Sequence, residues 1–155
     1  VRFTMDFFGD RTVDRKLVRF QGRVRDASPA FEQIADDFLR IEEKQFATQG
    51  GHASGGWVPL SPNYAAWKAK HYPGKLILQR ESDLVESLTR GPEIRIVEPD
   101  QVILGTAVPY AQYHQHGGER LPARPPIALT EADKRRWIRY IQKYLVNNPD
   151  QIEGE

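Results

Sequence analysis

Four histidines, at positions 52, 71, 114 and 116, are the side chains of this 155-residue chain best suited to proton transfer or metal binding. His114 and His116 would share a face on a strand but diverge by about 200° on a helix. The local pattern predicts a helix, and the chain has no cysteine. Disulfides, thiolate metal sites and cysteine nucleophiles are excluded, and no histidine metal centre is expected. Paired carboxylates occur at Glu32/Asp36 and Glu42/Glu43. Acid–base catalysis needs two carboxyls held in different environments. Here they stand beside Arg40 and Lys44 on one helix, which reads as a solvated face. Ser61 and Ser82 could serve as nucleophiles, but each precedes a helical pattern and reads as a cap. No Gly-x-Ser-x-Gly elbow is present. No catalytic residue, cofactor-binding residue or metal ligand is assigned, no cofactor is implied, and the chain is not expected to be an enzyme.

The basic residues are more suggestive. Arg19, Arg23 and Arg25 cluster early, and Lys134, Arg135, Arg136, Arg139 and Lys143 cluster late. The whole chain nevertheless balances 22 Lys and Arg against 21 Asp and Glu, for a net charge of +1. That argues against a dedicated duplex binder. Acidic residues elsewhere, including Glu32, Asp36, Asp37 and Glu43, offer a complementary patch. A basic face on one copy meeting an acidic face on the next is a heterologous contact, which closes into a ring when repeated with rotation.

The elements that must position these groups follow from periodicity. Apolar residues are 39% and charged residues 28% of the chain, the balance of a folded soluble domain. No apolar run is long enough for a membrane-crossing helix. No secretory leader is read in the first ten residues, and the start at Val1 is expected to reflect loss of an initiator methionine or short leader. Residues 1–8 alternate Val1, Phe3, Met5 and Phe7 against polar positions, predicting a strand. Val13, Leu17, Phe20 and Val24 make a helical stripe over 12–25, with a strand as the rival reading. Ser28-Pro29 signals a helix start, and Phe31, Ile34, Ala35, Phe38, Ile41, Gln45 and Phe46 extend its inner face. Asp36 and Arg40 are spaced to pair along that helix.

Residues 50–56 carry four glycines and read as a mobile loop able to order against a partner. No Gly-Lys-Ser/Thr follows, so it is not a phosphate loop. Trp57 re-enters the core. Ser61-Pro62 opens a short helix through Lys68, which Pro73-Gly74 breaks. Ser82 or Asp83 caps a helix with Leu84, Val85 and Leu88 inward and Gly91 at its end. Residues 93–97 and 102–106 form a hairpin. Pro109 opens a short helix closed by Gly117-Gly118. Residues 121–126 are extended. Thr130 and Asp133 form a capping box for a final helix with Trp137, Ile138, Ile141, Tyr144 and Leu145 inward. The expected fold is a single α+β domain over 1–146: a small antiparallel or mixed sheet of three or more strands, with long amphipathic helices on one face. Residues 147–155 form an acidic, frayed tail.

The order Trp57-x-Pro59-Leu60-Ser61-Pro62, Tyr64, Lys68, Leu84, Ser87-Leu88, Tyr110-Ala111-x-x-His114-Gln115-x-Gly117 and Arg124-Pro125-Pro126 resembles phage virion morphogenesis proteins, which include tail completion proteins. It is similar more loosely to head–tail joining and tail terminator proteins of long-tailed phages. The resemblance runs from about residue 12 to 146. It implies a small α+β structural subunit of the virion neck or head-proximal tail end, made in the host cytoplasm. It also implies self-association into a ring, with a hexamer expected, and contacts with the tail tube protein and with head connector or adaptor proteins. Transient contact with packaged DNA is implied, and none with membrane. By position, Trp57, Pro59 and Leu60 anchor the loop after the long helix. Tyr110, Ala111, His114 and Gly117 hold the turn after the hairpin, and Arg124 and Pro125 fix the lead into the last helix. Two departures stand out. Glu81-Ser82-Asp83 replaces a stretch where the family commonly has glycine, and Pro126-Ile127 replaces an aromatic.

Two other functions are weighed. A small nucleic-acid-binding protein would align Arg19, Arg23, Arg135, Arg136 and Arg139 on one face. A peptidoglycan-degrading hydrolase would set His114 or His116 beside a carboxylate in a cleft. For the ring reading, the glycine loop is expected to project into a lumen or onto a neighbour, and its burial in the monomer core would count against that reading.

Overall fold

A computed structural model describes residues 11–53 and 55–146. The strand expected over 1–8 and the acidic tail over 147–155 lie outside the described residues. Among the described residues the order is α1 (Arg11–Arg25), α2 (Ser28–Ala47), α3 (Pro62–His71), α4 (Asp83–Thr89), β1 (Ile94–Val97), β2 (Val102–Gly105), α5 (Ala111–His116) and α6 (Glu131–Val146). The class is α+β. No described helix is long and apolar enough to cross a membrane.

The twenty-residue α2 is the centre. Ala30, Ile34, Ala35, Phe38, Ile41 and Phe46 recur at helical spacing and are buried. That stripe meets α4, α6 and the hairpin. Phe38 and Phe46 form a core with Trp57, Leu84, Leu88 and Ala111. The helix begins differently from the expectation. The Ser28 hydroxyl caps no helix amide: Ser28 is already helical, and its own amide donates to Asp26 Oδ1 at 3.0 Å. Asp36 is turned toward Arg95, not Arg40; Arg95 lies 3.6 Å from it and also bonds Glu32.

The hairpin is antiparallel, with Val97 opposite Val102 and Ile96 opposite Ile103. These two strands are the whole sheet among the described residues; the third expected strand is the one over 1–8. The layering also differs. Among the described elements α2 makes the main contact with the hairpin; α6 packs on α2, and α1 on α6. The stripe of α1 faces outward: Leu17, Phe20 and Val24 are 45–56% exposed. Ile138 on α6 is likewise exposed, while Trp137, Ile141, Tyr144 and Leu145 are half-buried. Periodicity identifies a face that needs cover, but not which surface supplies it.

Candidate functional site

Three separated segments meet in one clamp. Arg124 is 5% exposed. Its Nε donates to the Val58 carbonyl at 2.6 Å and its Nη2 to the Pro59 carbonyl at 2.9 Å. Its backbone amide donates to the His114 carbonyl at 2.8 Å. Trp57 Nε1 and Gln45 Nε2 both donate to the Pro125 carbonyl, at 3.0 and 3.1 Å. The Gln115 amide exchanges two hydrogen bonds with the backbone of Ile127. Gly117, at φ +73, makes the turn possible: a Cβ there would lie 2.8 Å from the Ala123 nitrogen. The motif residues therefore form one unit in space. At the second departure from the resemblance, Pro126 is buried and Ile127 packs partly buried against the core.

Beside the clamp lies a groove of about 680 Å³. Its walls include Leu60, Tyr64, Ile77, Tyr110, Leu121 and Pro122. Lys68, Arg80, Arg120 and Arg124 also line it, and Glu81 is the only carboxylate among the lining residues. Glu81 is already paired with Arg80 at 2.6 Å. Lys68 is 4% exposed and its ammonium donates to the Leu76 carbonyl. Neither Lys68 nor Arg124 has a carboxylate partner among the described residues. Burial, then the Arg80 charge, pulls the Lys68 ammonium below its ordinary pKa, and burial does the same to Arg124. His114 also lines the groove. Its Nδ1 is buried without a hydrogen-bond partner, and burial followed by the Arg124 charge lowers its pKa. Such a groove, apolar and electropositive, suits an acidic, partly apolar ligand.

A second polar centre sits where the loop at 50–56, α2 and α6 meet. Thr130 and Asp133 form the expected capping box: the Thr130 amide donates to Asp133 Oδ2 at 2.9 Å, and the Asp133 amide to Thr130 Oγ1 at 3.1 Å. His52 Nε2 donates to the same carboxylate at 2.8 Å. Arg136 bridges Asp133, at 2.7 Å, and Asp37, at 2.8 Å, and Trp137 Nε1 also donates to Asp37. Burial pushes the Asp133 carboxyl up, but the hydrogen bonds from Thr130, His52 and Arg136 outweigh it and hold it well below its usual range. The Arg136 guanidinium is driven above its ordinary value, chiefly by its bond to Asp37.

The glycine loop is thus not a free connector. Its base is held to the protein's own body: Gly50 is buried with its Cα against the Trp57 ring, the Ala53 amide donates to Gln45 Oε1, and the Trp57 amide to the Gln49 carbonyl. Gly51, Gly55 and Gly56 are exposed.

Other candidates fall as follows. Glu32 and Asp36 are exposed, as a solvated face requires, but Glu42 is not. It is 0% exposed, both its carboxyl oxygens lack partners, and burial pushes its pKa up to about 8. Ser61 precedes α3 without capping it through its hydroxyl. Ser82 precedes α4 at φ +71, and its hydroxyl accepts from Lys75. That left-handed backbone explains why glycine suits this stretch. His71 Nδ1 donates to the Trp67 carbonyl, and His116 is exposed. Of the basic cluster, Arg23 donates to the Tyr144 and Leu145 carbonyls and Arg136 is held by carboxylates; Arg19, Arg135 and Arg139 are exposed. Lys68 entered the sequence reading only as a motif position and Arg80 and Arg120 not as a group. Three cations scattered over 52 positions give no local signal.

The model of the phage virion morphogenesis family matches residues 9–146. No curated protein and no solved structure matches the chain.

Proposed function

The chain belongs to the phage virion morphogenesis family, and from that premise we propose that it is a structural subunit of the phage neck or head-proximal tail end. It completes the tail and joins it to the head as a ring of identical copies, a hexamer being the expected form. The tail tube protein and the head connector or adaptor proteins are its neighbours, and the assembled virion is its location after assembly in the host cytoplasm. The observation that carries this reading is the family match, which spans every described element.

Two features of the monomer support it. The motif residues tie backbone to backbone, as a scaffold requires: Arg124 and Trp57 spend their donors on carbonyls. The α1 stripe of Leu17, Val18, Phe20 and Val24 is exposed, and such a surface suits burial on assembly. The nucleic-acid reading is weaker, because Arg23 and Arg136 are engaged within the chain. The hydrolase reading is weaker too, because Arg124, a cation, stands next to His114 in the groove.

Light scattering across a concentration series tests the ring. A discrete multiple of 17.8 kDa, near six copies, is expected. A phage carrying a stop codon in this reading frame should yield separate heads and tails, with joining restored by the chain supplied from a plasmid. Normal virions without the chain would overturn the proposal.

A further inference from the structure

We propose that the electropositive groove takes the acidic segment 147–155 of a second copy of this chain. The inference rests on the ring reading and names the contact that would build it. The first observation is charge. Four cations line the groove, against the single carboxylate Glu81, which Arg80 already neutralises. Two of those cations, Lys68 and Arg124, are 4% and 5% exposed and reach only backbone carbonyls. Buried charge without a counterion is costly, and an incoming carboxylate relieves it. The Lys68 ammonium has three donors and one acceptor here, so it has donors to give.

The second observation is the segment itself. Residues 147–155 read NNPDQIEGE: Asp150, Glu153 and Glu155 with no basic residue, and Pro149 and Ile152 between them. That composition matches a groove with apolar walls and cationic lining. The third observation concerns which copy supplies it. α6 starts against the loop at His52, near the clamp, and its sixteen residues carry the chain about 24 Å. Its last turn lies against Arg23 of α1. The segment continues from the Arg23 end of α6, one helix length from the His52 end. Because groove and segment are different surfaces, their union is head-to-tail and propagates around a ring.

Charge exchange in the full chain tests this. Arg80→Glu with Arg120→Glu reverses two exposed groove positions, and Asp150→Lys with Glu153→Lys reverses the segment. Each double variant alone should self-associate at least tenfold more weakly than the parent, and the two mixed should associate again. A labelled peptide of residues 147–155 should bind the segment-reversed protein saturably and the groove-reversed protein at least tenfold more weakly. If the parent forms a ring and both variants do so equally well, the ring stands and this inference fails. If the parent stays monomeric while the peptide binds, the segment docks within its own chain, and both the second copy and the self-assembling ring are overturned. No saturable peptide binding overturns the groove assignment in any oligomeric state.

Discussion

Two arginines twelve residues apart solve the same problem in opposite ways. Arg136 meets two carboxylates, Asp37 and Asp133, and becomes part of a neutralised knot with His52 and Thr130. Arg124 is more deeply buried and meets only carbonyls, those of Val58 and Pro59. Both fasten distant segments, but only the knot cancels its charge. The clamp holds the chain together and leaves a positive field in the groove. A charge that is already matched serves stability alone, whereas an unmatched one also has something left to offer a ligand.

The sharpest way to break this comparison is to remove Arg124. Arg124→Ala leaves the Val58 and Pro59 carbonyls without that donor and empties a long, buried side-chain site. A loss of about 4 kcal/mol in urea denaturation is expected. A loss below about 1 kcal/mol would mean that water replaces the clamp, and the contrast with Arg136 would vanish.

Asp133→Ala comes next, at about 3 kcal/mol, since it strips the helix cap and one of the two counterions of Arg136. The knot also carries an acid signature. Asp133 stays ionised in the folded state below its ordinary pKa of 3.8, while the unfolded chain takes up the proton. Its stabilisation is therefore present above that value and lost as pH falls beneath it. Asp133→Asn should lose that acid dependence, whereas groove substitutions such as Arg120→Glu should keep it. Acid titration of both variants by circular dichroism checks this.

The clamp and the knot were not equally legible in the sequence. Trp57, Tyr110, His114, Gly117 and Arg124-Pro125 were visible as an ordered set of motifs because each sits in a short run with Pro or Gly. Their meeting in space explains why order and spacing mattered. The knot was half visible: Thr130 and Asp133 read as a capping box, but His52 and Asp37 did not join them. Arg136 and Asp37 stand 99 positions apart, and nothing local marks Asp37 as buried. The same blindness placed Glu42 on a solvated face. An acid one position past an apolar stripe can face either way, and packing of α2 against its neighbours decides it. For α1 the stripe marks the helix, but its exposure shows that amphipathicity does not say which surface does the covering.

Glu42 differs from Arg124 in having no hydrogen-bond partner at all, an acid buried alone among the described residues. Its folded pKa of about 8 lies above the ordinary 4.5, so the folded state keeps a proton that the unfolded chain releases. Stability should fall as pH rises between those values, by at most roughly 1.4 kcal/mol per unit. Glu42→Gln should flatten that slope, gaining roughly 2 kcal/mol on the parent between pH 5.5 and 7.5. Parallel slopes for the two proteins in that window would show that a cation reaches Glu42 in solution.

The smallest effect probes a further difference between the two regions. The groove side carries backbone strain as well as unmatched charge. Leu78, in its wall, and Ser82, one residue past Glu81, have φ of +61 and +71. None of His52, Asp37, Thr130, Asp133 and Arg136 has such a backbone, although Gln49, three residues before His52, has φ of +52. A left-handed backbone costs a residue with a Cβ about 1 kcal/mol that glycine escapes. Ser82→Gly should therefore stabilise the chain by about 0.5–1 kcal/mol, offset in part by the lost hydroxyl contact with Lys75 and by the greater freedom of glycine in the unfolded state. Ser82→Ala separates the terms, since it removes the hydroxyl but keeps the Cβ. The expected order is Gly above Ser above Ala in thermal midpoint. If Gly ranks below Ala, the Ser82 backbone is unstrained in solution, and charge alone distinguishes the groove from the knot.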